Sequence, residues 1–301
     1  FRSNKTIIID TSIYLYRFIT EGSLIENIYQ MITILLKYNI EPIFVFDGKP
    51  PIEKNGTINQ RKNERETARD QYKVLEQQLN NNISVTEKKN ILKEMNLLKR
   101  QIVSIKKKDI YDVKELINSF GVKYVDSQGE ADELCALLVS TKQVWACLSE
   151  DMDLFVYGCE RVLRYFSLIN HSVILYSTKS ILDELKMSEE EFKTICIISG
   201  TDYNLNNNNK YKNTLQQTMS YFKKYKEENN NDDLIFHDWL TINTDYVQDI
   251  DLLKHIYKMF TLSYRHDKLS LFKNIKIING PLKQDEIECI MKEENFIFCK
   301  K

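Results

Sequence analysis

Apolar runs that end on acidic residues set the rhythm of the first half of the chain. Residues 6–10, TIIID, read as a short buried strand closing on Asp10. Residues 42–46, PIFVF, read as a second, followed at once by Asp47. VKYVD at 122–126 and VWACLS at 144–149 read as a third and a fourth, and the last runs straight into acids. Between the first two, Leu24, Ile25, Ile28, Met31, Ile32, Leu35 and Leu36 recur at helical spacing over 24–38. The pattern over 109–120 is helical and stops at Gly121, and another helix begins near Ala131. RVLRYF at 161–166 and SVILYS at 172–177 predict a hairpin, after which the pattern is helical. There Ser188 and Glu191 form a capping box for 189–200. Strands alternating with helices predict an α/β fold, a mainly parallel sheet with helices on both faces. Ligands of such sheets sit beyond the carboxyl ends of the strands. Asp10, Asp47, Asp151 and Asp153 fall there.

Residues 53–108 break this rhythm, being long, charged and nearly free of strand signal. Residues 61–79 and 87–104 predict two polar helices joined near Asn80–Asn82. Their heptads are too short for a sustained coiled coil, so a solvated helical hairpin is the plainer reading. Basic residues outnumber acids over 86–108. Phosphates can therefore be met by a local patch although the net charge is −1.

With 301 residues and 43% hydrophobic content, the chain can bury a real core. No apolar run approaches the roughly 18 residues of a membrane span, and no secretory signal opens the chain. The six cysteines are scattered without a CxxC pair, which disfavours zinc-finger and thioredoxin readings. Cys135, Cys147 and Cys196 lie in apolar runs and read as buried free thiols, as in a reducing, intracellular setting.

One acid at a strand end is most simply a helix cap. Here the feature repeats. IIID at 7–10, FVFDG at 44–48 and LSEDMD at 148–153 each follow an apolar strand. Glu130 and Asp132 lie in GEADE, and Asp202 follows ICIISG. Acids gathered in this way repel one another unless cations neutralise them. Oxygen donors without His or Cys select Mg²⁺ or Mn²⁺ over zinc. Two such ions about 4 Å apart suit phosphodiester hydrolysis.

IDTS at 9–12, FVFDGKPP at 44–51, GEADELCALL at 129–138, SEDMD at 149–153 and ISGTDY at 198–203 resemble the ordered motifs of the flap endonuclease (XPG/FEN) nuclease family. The resemblance implies a PIN-like α/β fold with an inserted helical arch over 53–108 and a mostly helical, duplex-binding part over 188–301. All of it would form a single nuclease domain spanning 1–301. It implies a 5′ nuclease, acting as flap endonuclease or 5′–3′ exonuclease on DNA, with two Mg²⁺ (or Mn²⁺). Asp10, Asp47, Glu130 and Asp132 would serve one ion. Asp151, Asp153 and Asp202 would serve the other, with Asp132 near both. The family usually carries Glu where Asp132 stands, so this ligand is one methylene shorter.

By the same resemblance, Lys54 and Arg61 match the basic pair at the base of the arch, where cations meet the scissile phosphate. Tyr16 matches a tyrosine that stacks on a base. Lys99, Arg100, Lys106, Lys107 and Lys108 would lie along the arch and bind nucleic acid collectively.

Three departures stand out. The family opens on Met-Gly, whereas this chain opens at Phe1. The family's Gly-x-Gly turn after the last metal acid has no counterpart in NLNNNNKYKNT (204–214). Lys210 and Lys212, with Lys223 and Lys224, are then left to grip duplex by charge, and no K⁺ site is expected. No sliding-clamp motif follows PLKQDEIECIMKEENF (281–296), so a clamp partner is not expected and the chain reads as a monomer. The nucleus and a viral replication site both suit such an activity. The competing readings are a 5′-exoribonuclease acting on RNA, a non-catalytic nucleic-acid-binding protein of the same fold, and a structural α/β protein with ion pairs in place of metals.

Overall fold

The computed structural model describes residues 5–79, 84–204, 214–228, 234–262 and 280–298. Its sheet has six strands: β1 (Lys5–Asp10), β2 (Ile40–Phe46), β3 (Lys123–Asp126), β4 (Ala146–Leu148), β5 (Arg161–Ser167) and β6 (Ser172–Ser177). They lie in the order β3-β2-β1-β4-β5-β6. The first five are parallel, and β6 closes the edge antiparallel to β5.

A strand buried on both faces must be apolar at consecutive positions. Ile7, Ile8 and Ile9 of β1 are each at most 1% exposed, and their side chains alternate between two cores. Ile7 and Ile9 join α1 (Thr11–Glu21), α2 (Leu24–Lys37) and α5 (Lys107–Ser119) through Phe18, Met31 and Leu116. The late helix α13 (Gln284–Glu293) completes that layer with Ile287 and Met291. Ile8 faces α6 (Ala131–Ser140), the single turn α7 (Asp153–Val156) and α9 (Glu189–Ser199), followed by α10 (Leu215–Glu228), α11 (Phe236–Asn243) and α12 (Ile250–Met259). The remaining helix, α8 (Thr178–Leu185), follows β6. Among the described residues no helix is long and apolar enough to cross a membrane.

Chain order reverses at β1. The path runs from β1 outward to β2 and β3, then returns to place β4 on the other side of β1. Such a switch point opens a crevice beyond the carboxyl ends of the two strands. Asp10 ends β1, and Ser149 follows β4.

The charged insertion forms two helices, α3 (Asn55–Leu79) and α4 (Val85–Ile102), packed on one another. Few of their side chains are buried, among them Ala68, Met95 and Leu98. Ser84 begins α4 with a capping box: its Oγ accepts from Glu87 N–H, and Glu87 accepts from Ser84 N–H at 2.9 Å. α3 starts six residues earlier than the hydrophobic pattern indicates, because its first turn is held by tertiary contacts. Thr57 is buried there and donates to the Asp202 carbonyl. The hairpin also closes sooner than 108, at Ile102. Lys107 and Lys108 begin α5, which packs on α2 and α13, and Lys106 is its N-cap.

Candidate metal centre

Each candidate acid is set at the end or start of a regular element. Asp10 is the last residue of β1 and the N-cap of α1. Asp47 directly follows β2. Glu130 is the N-cap of α6, and Asp132 lies in its first turn. Asp151 follows β4, Asp153 opens α7, and Asp202 follows α9.

Hydrogen bonds draw these ends together. Ser149 Oγ donates to Asp10 Oδ2 at 2.8 Å, tying β4 to β1. Asp47 accepts from Ser12 and from Ala131 N–H, the latter at 2.8 Å, so the β2 end is tied to the start of α6. Beside it, Gly48 N–H donates to the Gly129 carbonyl at 2.8 Å. A Cβ on Gly48 would lie 2.1 Å from the Ser127 carbonyl oxygen, so this approach of the two loops requires glycine. Asp151 Oδ1 accepts from Asp153 N–H at 2.9 Å, which folds SEDMD back on itself.

The two bases reach the same place from the start of the insertion. Lys54 donates to Glu130 and lies 3.2 Å from Asp202 Oδ2. Arg61 Nη2 donates to both oxygens of Asp202 at 3.0 Å.

The electrostatics show how closely the acids sit. Burial, then the neighbouring Asp47 and Asp151 charges, push Asp10 up to about 7, against the opposing hydrogen bond from Ser149. Asp153 is pushed up to about 7 by burial, Asp151, Asp202 and Glu130. Asp132, 6% exposed, is driven well above the carboxylate range by burial and by Glu130, Asp151 and Asp10. All seven acids thus belong to one network. For Lys54, burial works against the charge, but Glu130, Asp202 and Asp132 outweigh it and hold the ammonium above the usual lysine range.

Among the described residues no three of these acids close into the geometry of a complete metal site. Their chemistry nevertheless fits a hard cation. Every donor is an oxygen. Buried carboxylates that raise one another's pKa are relieved by positive charge. The protein supplies part of that charge itself, through Lys54 and Arg61.

The other sequence-derived candidates are more dispersed. Tyr16 is 43% exposed on α1 while its neighbours Tyr14 and Phe18 are buried, so it is the exposed aromatic of that helix. Lys99 and Arg100 are exposed in the last turn of α4, with Lys99 Nζ 5.9 Å from the Tyr72 ring centroid on α3. Lys106, Lys107 and Lys108 are not on the hairpin but at the start of α5, where the positive end of the helix adds to the local positive potential. Lys223 and Lys224 are exposed on α10. Lys210 and Lys212 lie outside the described residues, as does the Asn80–Asn82 junction. Cys135 and Cys147 are buried free thiols, but Cys196 is only half-buried.

Several functional-looking contacts were not singled out by sequence. Ser12 and Ser149 sit inside quoted motifs, yet a serine beside an acid reads equally as a cap. Tyr203, next to Asp202, donates to Glu130 Oε2. Glu150, the acid of SEDMD outside the cluster, accepts from Tyr165 N–H at 2.6 Å and lies 3.4 Å from Arg164 Nε. It braces the loop that carries Asp151 and Asp153.

Comparison with known proteins gives a consistent picture. Residues 1–68 match the family model of the XPG N-terminal domain, and residues 121–202 match that of the XPG I-region. Flap endonuclease 1 of Glossina morsitans morsitans is 33% identical over 218 residues, 66% of this chain and 54% of that protein. The chain thus spans about half the length of the curated relatives it matches. The catalytic core of Rad2 in complex with DNA substrate superposes with TM-score 0.62 at 21% identity, covering 97% of this chain and 88% of that one. Flap endonuclease-1 from Methanococcus jannaschii does so with TM-score 0.55 at 19% identity, covering 97% and 94%. At such identities the structural likeness concerns the fold.

Proposed function

Because the chain belongs to the XPG/FEN family, we propose that it is a divalent-metal-dependent, structure-specific 5′ nuclease that hydrolyses phosphodiester bonds of DNA at a 5′ flap or a free 5′ end. The observation that carries this reading is the gathering of seven mutually perturbing carboxylates at the switch point of the sheet, with Lys54 paired to Glu130 and Asp202 and Arg61 to Asp202. An ion-paired structural protein has no need to bury Asp10 and Asp132 and half-bury Asp153 at positions that penalise their charge.

Asp10, Asp47, Glu130 and Asp132 would hold one Mg²⁺ and Asp151, Asp153 and Asp202 a second, with Asp132 directed toward both and Mn²⁺ an acceptable substitute. Such ions, when bound, activate water and stabilise the leaving oxygen of an in-line displacement. Arg61 and Lys54 meet the charge that develops on the scissile phosphate. Arg61, whose side chain is 55% exposed, is the readier of the two. Ser149 and Ser12 orient Asp10 and Asp47, and Tyr203 orients Glu130. Tyr16 offers a base-stacking face. The α3–α4 hairpin rises directly from the base of the site, where an arch over a single 5′ strand belongs, and Lys99 and Arg100 would track its phosphates. The protein would act as a monomer.

Kinship with flap endonucleases supports flap cleavage. The related Rad2 core, whose structure is a complex with DNA substrate, supports DNA as the nucleic acid that is cut. Incubating labelled 5′-flap DNA, blunt duplex, single-stranded DNA and single-stranded RNA with Mg²⁺ tests the proposal. Flap DNA should be cut fastest, and chelation should stop it. Preferential cutting of RNA would instead assign an exoribonuclease, and no cleavage of any substrate by metal-loaded protein would leave only a binding role.

A further inference from the structure

Lys54 pairs with two of the carboxylates assigned to the proposed metal centre. Its ammonium donates to Glu130 Oε1 and lies 3.2 Å from Asp202 Oδ2. Glu130 is the N-cap of α6 and Asp202 follows α9, so one ammonium bridges the two halves of the carboxylate cluster. The other Glu130 oxygen, Oε2, accepts from the Tyr203 hydroxyl. Tyr203 is 3% exposed and its ring packs on Phe260, with centroids 5.4 Å apart. Glu130 is therefore anchored independently of Lys54.

Two demands fall on this single group. In the metal-free protein Lys54 compensates carboxylates that would otherwise be buried and unpaired. In the proposed reaction the same ammonium must meet a phosphate. Its side chain is only 16% exposed and is directed at Glu130 and Asp202, so little of it faces outward. The lysine stem is long and flexible enough to serve either position in turn.

We propose that Lys54 is a displaceable internal counter-ion: divalent cations entering the cluster expel it from Glu130 and Asp202, and only then does its ammonium become available to a substrate phosphate. Tyr203 keeps Glu130 in place while Oε1 changes partner. Metal and phosphate binding are then positively coupled through Lys54, and the coupling is reciprocal. The inference rests on the nuclease reading of the site.

The test is a binding cycle on the full chain with a 5′-flap oligonucleotide, comparing wild type with Lys54→Met, without divalent ions and with Ca²⁺. A gel confirms that the strand stays intact, and a melting curve confirms that the variant folds. Without divalent ions the two proteins should differ in DNA affinity by far less than they do with Ca²⁺, because Lys54 is engaged with Glu130 and Asp202. With Ca²⁺ the wild type should gain affinity, and the variant should fall short of that gain by about tenfold. Lys54→Arg, which retains the charge, should recover part of the gain. A variant that is already weaker by the same factor without Ca²⁺, or that gains as much as wild type, overturns the exchange. Calorimetry with Mg²⁺ separates this from failure of the underlying reading: if wild type binds no Mg²⁺, the metal-dependent nuclease assignment itself falls.

Discussion

Ser149 donates its hydroxyl proton to Asp10 at 2.8 Å, joining the loop after β4 to the last residue of β1. The bond favours the ionised form of a buried acid that its surroundings otherwise push up to about 7. Cations bind the carboxylate and not the acid. Ser149→Ala should therefore shift the pH midpoint of Mg²⁺ binding upward, as followed by calorimetry. An unchanged midpoint would show that Ser149 does not tune the site.

The buried acids also set a stability trend. Asp10 and Asp153 are each pushed from 3.8 up to about 7, chiefly by burial. Between those values the folded protein binds more protons than the unfolded chain. Their contribution is fully present below the lower value and is lost as pH rises toward the upper one. The metal-free protein should melt at a lower temperature at about pH 8 than at about pH 5.5, and Asp10→Asn with Asp153→Asn should flatten the trend. Mg²⁺ should raise the melting temperature at the higher pH and do little at the lower. Parallel profiles for wild type and the double variant would argue against it.

In the proposed reaction Arg61 serves the transition state, and its exposure leaves it little part in stability. Its side chain is 55% exposed and paired with Asp202. Arg61→Ala should lower kcat on flap DNA by about 10²-fold, the usual cost of losing one preorganised charge donor. The melting temperature should change little. Full turnover in the variant would place Arg61 outside the reaction.

Tyr16 and Tyr14 should behave in opposite ways. Tyr16→Ala should weaken flap binding by about 1–3 kcal/mol, the range of one base stack. Tyr14 is fully buried, so Tyr14→Ala should mainly lower the melting temperature. Tyr16→Ala with unaltered DNA affinity would exclude stacking.

Salt dependence reports on the hairpin. Converting Lys99 and Arg100 to Gln should reduce the slope of log affinity against log salt by about 0.7 per lost single-strand contact. An unchanged slope would show that the outer end of α4 does not meet the nucleic acid.

Much of this was legible in the sequence, for definable reasons. The strands were visible because β1 and β2 are buried on both faces, which demands runs such as IIID and FVFD. Asp10, Asp47, Asp151 and Asp153 stood out because the same strand-then-acid pattern repeats, whereas Glu130 and Asp132 stand at the start of a helix and Asp202 after one. Helix α9 was visible because the Ser188 and Glu191 box is local: Ser188 N–H donates to Glu191 at 2.8 Å. What was not legible depends on distant partners. The first turn of α3 lacks apolar periodicity and is held by Thr57 against Asp202, 145 residues away. Tyr203 could not be assigned from sequence because its acceptor, Glu130, lies 73 residues earlier. The assignment of Lys106–Lys108 to the hairpin failed because charge runs do not show where one helix ends and the next begins.

The most direct test compares cleavage of 5′-flap DNA in Mg²⁺ by wild type, Asp151→Ala and Asp153→Ala, with melting curves for all three. Wild type should cut the flap, and both variants should remain folded yet lose cleavage altogether. Retained cleavage in both folded variants would contradict the metal-dependent carboxylate mechanism.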